Sequence, residues 1–436
     1  MALLDSYIFQ SLDAVSLAKL VQRNTDPSQE IAAQVGDIIH TVELDGDEAL
    51  RRYARLFDGV ELDSLVLGAD DIQDLAMRLG RQEQRALEIA FGNIHRFHAI
   101  QTKRERTVET MPGVRCWREN RPIERVGLYV PGGSAVLPST LLMLGVPARI
   151  AGCKEIVVCS PPSKSGRIDP AIAYCLYLLK IERIYLVGGA QAIAAMAYGT
   201  ETVPRVDKIF GPGNQYVTKA KEWVQGATQV AIDMPAGPSE VLVVADENCR
   251  ADFVAADLLA QAEHGPDSQA VLVTTSGAFL QEVNVELEKQ LAVLPRKDIA
   301  EQALRQSYAV LCADLEEAMA FSNVYAPEHL ILAVEEYKPL VPKILHAGSV
   351  FLGPWSPESV GDYASGTNHT LPTGGFARAY SGVSAESFLK KITFQHVSPE
   401  GLQQLGSTVE ILAELEGLRA HRESVSIRLA DMPSGE

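Results

Sequence analysis

The feature that most constrains this chain is an alternation that begins near Glu124. Short β-rich runs, RVGLYV, EIVVCS, RIYLV, DKIF and QVAID, are separated by PSTLLMLGVPARIAG, DPAIAYCLYLLK, GAQAIAAMAYG and NQYVTKAKEWVQG. Strand and helix in turn imply βαβ units and a parallel sheet, joined by right-handed crossovers. The strand-to-helix turns carry glycine: Pro131-Gly132-Gly133-Ser134, Gly188-Gly189-Ala190-Gln191 and Gly211-Pro212-Gly213-Asn214. Turns at the carboxyl ends of parallel strands form ligand crevices, and helix N-termini there suit phosphate. None of them reads G-x-G-x-x-G, so the dinucleotide fingerprint is absent. On pattern alone they fit a nucleotide or phosphate ligand and plain tight turns equally well.

A second alternating block runs from Glu240 to about Trp355: EVLVVAD, a helix over Asp252–Glu263, QAVLVTTS, a helix, YAVLCAD, a helix, HLILAV, a helix and GSVFLG. No aligned repeat relates the two blocks. Pro235-Ala236-Gly237-Pro238 lies between them as the linker candidate. Before them, residues 12–104 have helical periodicity, with a helix-start signal at Asp26-Pro27-Ser28, punctuation at Asp45-Gly46-Asp47 and a break at Gly80. After Gly353 comes a polar, glycine-rich stretch containing Asp362 and His369. Loops of that length inside a domain are usually functional or disordered. The tail, about Ser384 to Ala430, reads as helix, helix and a short extended end. It is too small to bury a core of its own and must pack on something else.

Composition narrows the partners. The chain has 436 residues and a net charge of −17. That charge argues against nucleic acid and anionic membrane surfaces. No apolar run approaches the roughly 20 residues of a membrane span, and MALLDSYIFQ lacks the pattern of a signal peptide. Six cysteines without a CxxC pair read as free thiols in a reducing compartment. A soluble, cytoplasmic protein is the expectation.

Two constellations carry possible chemistry. Gln261 and His264 stand three residues apart at a helix end, on one face, before Gly265-Pro266 stops the helix. Zinc takes His, Asp, Glu or Cys and tolerates a carbonyl oxygen. The further candidates are His329, His346, Asp362, His369, His396 and His421, and the residues alone do not choose four. His95-x-x-His98 is set aside as a solvated helix face. Glu328-His329 follows Pro327 at the start of an apolar strand, where a carboxylate and an imidazole can form an acid/base pair. Neighbours in a regular strand face opposite ways. Joint action therefore needs irregular backbone, which Ala326-Pro327 can provide.

Several long stretches together resemble the histidinol dehydrogenases: VGLYVPGGSAVLPST, VGGAQAIAAMAYGT, IFGPGNQYV, DMPAGPSEVLV, LLAQAEHGPDSQA, YAPEHLIL, GSVFLGPWSPESVGDYASGTNHTLPTGG and EGLRAH. They cover about Arg125 to His421. The resemblance implies a homodimer with shared active sites. One zinc per subunit would be held by Gln261, His264 and Asp362 of one subunit and His421 of the other. Glu328 and His329 would be the catalytic pair. Substrate contacts would come from Ser239, Gln261, His264, His329, Asp362, Glu416 and His421, and NAD contacts from Tyr129, Gln191 and Asn214. The implied reaction oxidises L-histidinol to L-histidine through L-histidinaldehyde, with two NAD in succession.

The expected fold is α/β, with two incomplete Rossmann-like parallel-sheet domains. A helical region, 1–128, would pack with 239–383, the second Rossmann-like domain, which carries the zinc and catalytic residues. Residues 129–238 would contact NAD, and 384–436 would form an extension exchanged across the dimer. Three other readings compete: a paralogous dehydrogenase of another small polyol or amino alcohol, a zinc-dependent hydrolase, and a non-catalytic dimeric scaffold. Glu328 and EGLRAH speak against the first, and the glycine turns have no role in the second.

Overall fold

The computed structural model describes residues 3–23, 29–103, 105–132, 136–235 and 237–432. The Asp26-Pro27-Ser28 signal, Gly133-Ser134 of the first glycine turn and Ala236 of the linker candidate lie outside the described residues. The chain divides into two compact units, one of Met1–Gln101 with Ile123–Phe388, the other of Thr102–Pro122 with Leu389–Glu436.

The first unit begins with β1 (Asp5–Ile8) and α1 (Ala14–Leu20). The Asp13 carboxylate caps α1 by accepting from the Ser16 amide at 2.7 Å. Next come α2 (Gln29–Tyr53), β2 (Val66–Leu67), α3 (Ala69–Ala76) and α4 (Arg81–Ala99). The punctuation at Asp45-Gly46-Asp47 is a kink inside α2, where Gly46 has φ 51° and ψ −129°. The hairpin β3 (Val108–Met111) and β4 (Val114–Pro122) belongs to the second unit.

The alternating pattern then folds as expected: β5 (Arg125–Tyr129), α5 (Pro138–Ala151), β6 (Glu155–Cys159), α6 (Pro170–Leu179), β7 (Ile184–Tyr185), α7 (Gly189–Tyr198), β8 (Lys208–Phe210), α8 (Gln215–Ala227) and β9 (Ala231–Ile232). The sheet order is β2-β7-β6-β5-β8-β9, parallel except where β2 runs against β7.

The second block supplies β10 (Glu240–Ala245), α9 (Ala251–Ala262), β11 (Gln269–Thr274), α10 (Gly277–Leu291), α11 (Lys297–Leu304), β12 (Tyr308–Leu311), α12 (Leu315–Tyr325), β13 (His329–Leu332), β14 (Ser349–Leu352) and α13 (Glu358–Tyr363). Its order is β1-β12-β11-β10-β13-β14, parallel throughout. The helix expected between β13 and β14 is only a 3₁₀ turn at Val341–Lys343. Leaving aside the extra edge strands β2 and β1, both sheets have the order third, second, first, fourth, fifth. The two blocks therefore share a topology that no sequence repeat records.

Strand β10 shows why this sheet is buried on both sides. All six of its residues are buried. Val241, Val243 and Ala245 face one core with Val254, Leu258 and Phe279, while Leu242 and Val244 face another with Phe321 and Leu330. The two-residue period of a strand and helices on both faces account for the near-continuous apolar run.

The N-terminal helices divide differently from the expectation. Strand β1 joins the second sheet, whereas Val35, Ile39 and Val42 of α2, Ile72 of α3 and Ile94 of α4 share a core with Val126, Leu128 and Phe210 of the first sheet. An amphipathic stripe packs on whatever apolar layer adjoins it, and periodicity does not say which layer that is.

In the second unit, β15 (Leu389–Val397) pairs antiparallel with β4 over nine residues, from Leu389↔Pro122 to Val397↔Val114. Helices α14 (Pro399–Leu415) and α15 (Arg419–Ala430) follow. They pack closely where Gly406 meets Leu429, since a Cβ on Gly406 would lie 2.7 Å from Leu429 Cδ1. The start of the tail is thus a strand rather than helix, and its partner is the 102–122 hairpin. Few of this unit's side chains are buried, and Ile411, Leu412, Leu415 and Ile427 are exposed.

Candidate active site

The turn that leads into β13 carries Glu328 and His329, the candidate acid/base pair. Helix α12 ends at Ala326, a non-glycine residue in the left-handed region (φ 54°, ψ 66°), which costs about 1–3 kcal/mol. Pro327 then starts the extended chain. This irregular backbone turns the Glu328 side chain towards its neighbour, leaving Glu328 Oε2 3.6 Å from His329 Nδ1. Both residues are buried. On the far side, Gly348 N donates to Pro327 O at 2.9 Å and Ser349 N to Glu328 O at 2.8 Å. A Cβ on Gly348 would meet Glu328 O at 2.6 Å, so glycine is required there.

Two more carboxylates reach His329. Glu358 Oε1 is 3.6 Å from Nδ1, and Asp362 Oδ1 is 3.4 Å from Nε2. Both come from α13, where a spacing of four residues puts them on one helix face. Burial alone would lower the His329 pKa, but Glu358, Glu328 and Asp362 hold it well above the ordinary histidine value. Burial pushes the carboxyls of Glu328 and Glu358 up, each to about 8. Asp362 is held low despite burial, because His329 lies against it.

Beside this cluster lies the end of α9. Gln261 is fully buried, and neither its Oε1 nor its Nε2 makes a hydrogen bond among the described residues. The same holds for Glu358 Oε2, whereas Asp362 Oδ1 is reached by His329 Nε2 at 3.4 Å. Leaving such groups unpaired costs about 1–3 kcal/mol each. Ligand atoms of His264, Glu358 and Asp362 lie within 4.8 Å of one another. His264, exposed on the single chain, has its pKa lowered chiefly by the protein around it, which favours the neutral imidazole that ligates metals. An imidazole and two carboxylates that converge, with a buried carboxamide lacking a partner on the same helix end, fit a divalent cation, zinc among them.

The remaining candidates scatter. Ser239 lies next to Glu240 at the start of β10 and is half-buried. His369 is a support, its Nδ1 2.9 Å from Asp362 O and its Nε2 3.4 Å from Thr140 Oγ1. His346 follows the 3₁₀ turn, its amide donating to Asn323 Oδ1 at 3.4 Å. His396, Glu416 and His421 are exposed residues of the second unit. The pair set aside on α4 splits: His95 is exposed, whereas His98 is wholly buried, its Nδ1 2.8 Å from Ile94 O. The solvated-face expectation thus fails for His98, because α4 packs that face against the first core.

Tyr129, Gln191 and Asn214 do come together, lining a cavity of about 1040 Å³ with Gly132, Gly189 and Lys164. It opens at the carboxyl edge of the first sheet. Tyr129 ends β5, and its hydroxyl accepts from the Gly189 amide at 3.0 Å. Asn214 caps α8, accepting from Tyr216 N and Val217 N at 3.1 and 3.2 Å. Gly211, at φ 135°, lets its turn press on β5, where a Cβ would lie 2.2 Å from Tyr129 O. Helix N-termini and a deep crevice at this edge suit a dinucleotide. Glu328, His329 and the α9 end sit instead at the amino edge of the second sheet.

The model of the family described as histidinol dehydrogenase matches residues 21–429. The chain belongs to the histidinol dehydrogenase family. It is 51% identical over 414 residues to histidinol dehydrogenase of Bacteroides fragilis, covering 95% of this chain and 96% of that one. It is also 51% identical over 430 residues to the chloroplastic histidinol dehydrogenase of Arabidopsis thaliana, covering 98% and 92%. Among solved structures, histidinol dehydrogenase from Elizabethkingia anophelis superposes with a TM-score of 0.96 at 50% identity, over 100% of both chains. Within this family frame, Glu358 and Glu240 were not picked out from the residues beforehand. The four-residue spacing from Glu358 to Asp362 was the one available signal.

Proposed function

We propose that the chain catalyses the zinc-dependent, NAD-linked oxidation of L-histidinol to L-histidine through L-histidinaldehyde, the final steps of L-histidine biosynthesis. The observation that carries this is the His329 imidazole ringed by Glu328, Glu358 and Asp362, beside the unpaired atoms of Gln261 and Glu358.

When bound, zinc fixes and polarises the substrate, and NAD accepts hydride in each oxidation. Gln261, His264 and Asp362 would hold the metal, and Tyr129, Gln191 and Asn214 would contact NAD. In its neutral form His329 takes the hydroxyl proton as the alcohol becomes the aldehyde, and the carboxylates around it stabilise the imidazolium that forms. Glu328 takes a proton from water as that water adds to the aldehyde carbon. Once it has passed its first proton to solvent, the neutral His329 accepts the proton of the resulting diol in the second oxidation. A carboxyl raised to about 8 by burial is a stronger base than an exposed one, which suits Glu328 to this task.

The working molecule is a homodimer with shared sites. The 384–436 extension crosses to the partner, and His421 of the partner subunit supplies the fourth ligand, with Ser239 and the partner subunit's Glu416 completing the substrate contacts. The exposed apolar residues of the second unit support this, since it cannot bury them within itself. Residues 129–238 act as the NAD-contacting domain and 239–383 as the domain of zinc and catalysis. The enzyme works in the cytoplasm on a small molecule, without nucleic-acid or membrane partners. The charge of −17 and six free cysteines support that, and no helix among the described residues is long and apolar enough to cross a membrane.

The test is NADH absorbance on adding L-histidinol, with and without chelator. Chelator-sensitive NADH formation is expected. Turnover of a different alcohol, with none of histidinol, would overturn the assignment in favour of a paralogue.

A further inference from the structure

The turn bearing Glu328 and His329 is anchored by a buried ion pair distant in sequence. Arg23 meets Glu240 as a fork, Nε to Oε2 at 2.8 Å and Nη2 to Oε1 at 2.9 Å. Glu240 is almost fully buried and Arg23 nearly so. The guanidinium also donates through Nη2 to Tyr325 O at 2.8 Å, and lies 3.6 Å from the centre of the Tyr325 ring. Glu240 in turn grips Glu328 twice. Glu240 N donates to Glu328 Oε2 at 2.9 Å, and Glu328 N donates to Glu240 Oε1 at 3.2 Å. The Glu240 carbonyl lies 3.3 Å from His329 Nδ1.

The turn from Tyr325 to Glu328 is thus tied at both ends to one Arg–Glu pair, with the strained Ala326 between. A buried ion pair is not a net source of stability compared with an apolar pair of similar volume. Here it instead provides two hydrogen-bonding groups fixed in direction, one for each end of the turn. Its partners are the backbone groups Tyr325 O and Glu328 N, while the backbone amide of Glu240 itself holds the Glu328 carboxylate.

Building on the function above, we propose that Arg23 and Glu240 are positioning residues for Glu328. The pair holds the Glu328 carboxylate in place for the aldehyde step, and His329 through the same backbone.

The test compares Arg23→Lys with the parent on L-histidinol and on L-histidinaldehyde. Lysine keeps the charge but loses the fork. Turnover of the aldehyde is expected to fall about 10- to 100-fold, with a smaller fall for the alcohol. KM for histidinol should change less than about threefold, because uniform substrate binding is untouched. Adding Glu240→Gln to Arg23→Lys should cost no more than the worse single change, since both act through one contact. If Arg23→Lys does not fold, Arg23→Met/Glu240→Gln removes both charges while keeping an acceptor for the Glu328 amide, and the same split is expected.

A folded variant with parental turnover of both substrates, or with only a lower melting temperature, overturns the proposal. So does a loss confined to KM. Failure of the parent itself to make NADH from histidinol would instead count against the function, and is read separately.

Discussion

Lys221 Nζ donates to the carbonyl oxygen of Gly211 at 3.0 Å from within the buried face of α8. Lys221 is paired with Asp233, whose Oδ2 accepts from the Gly211 amide at 2.8 Å. Both backbone groups of the glycine that leads to Asn214 are therefore fixed by one buried ion pair. Lys221→Met should loosen this turn and leave Asp233 buried without its partner, at about 3–5 kcal/mol of stability. Steady-state kinetics below the lowered melting temperature should show KM for NAD raised roughly tenfold, equivalent to 1.4 kcal/mol, with KM for histidinol little changed. An unchanged KM for NAD would separate the turn from cofactor binding.

The two members of the catalytic pair should fail differently. His329→Asn is expected to remove the first oxidation, by about 10²–10⁴-fold. Glu328→Gln should impair mainly the conversion of L-histidinaldehyde. Single-turnover measurements on each substrate resolve the steps, and equal losses in both for Glu328→Gln would contradict its assignment to water.

Sharing of the site between subunits has a mixing test. His264→Ala and His421→Ala should each be inactive alone. Co-refolded, they should recover part of the parental activity, because each heterodimer contains one site free of both changes and one that carries both. Absence of recovery in demonstrated heterodimers would place all the ligands in one chain.

Metal removal should be visible in stability as well as turnover. A ligand that binds only the folded state stabilises it by mass action, and the buried polar atoms of Gln261 otherwise stay unpaired. Dialysis against chelator should lower the melting temperature, by about 1 °C for each kcal/mol in a chain of 436 residues. Adding zinc back should reverse the change. A melting temperature indifferent to both treatments would count against metal at these residues.

Away from the site, Asp47 makes a pH-dependent contribution. It is buried in the kink of α2 and accepts from Thr200 Oγ1 at 2.6 Å, from Thr202 N at 3.1 Å and from the Thr202 hydroxyl. Burial works to raise its pKa, yet these donors hold it below the ordinary carboxylate value. A depressed carboxyl stabilises the fold above its unfolded pKa, and that stability is lost as pH falls through the folded pKa. Asp47→Asn should therefore cost about 1–3 kcal/mol at pH 7. The difference in urea midpoint should shrink as pH falls below about 4.

What could be read from the residues follows from where the signal is local. The β/α alternation, the glycine turns at Gly188 and Gly211 and the irregular entrance at Ala326-Pro327 each declare themselves within a few residues, and all fold as read. Strand β15 does not. LKKITFQHV is largely exposed and pairs with a strand some 270 positions away, so neither burial nor a neighbouring turn marks it. The same distance hides Arg23 and Glu240, since a charge at the end of an apolar strand looks like a solvated boundary until its partner is seen. His98 departs from the solvated-face expectation because a helical period locates a buried stripe only when its edges are apolar. Here a histidine lies within the stripe, with a backbone carbonyl as its partner.

Strand β1 lies at the edge of the sheet that carries the site, with Asp5 opposite Tyr308 and Ile8 opposite Leu311. Leu4 beside it is buried, and the Leu3 and Leu4 amides both donate to Asn284 Oδ1. Those first residues act as a lid over the unpaired backbone of β12. Trimming them would uncover a row of free amides and carbonyls, the template along which chains add to one another. A shortened form should therefore betray itself first as turbidity on storage.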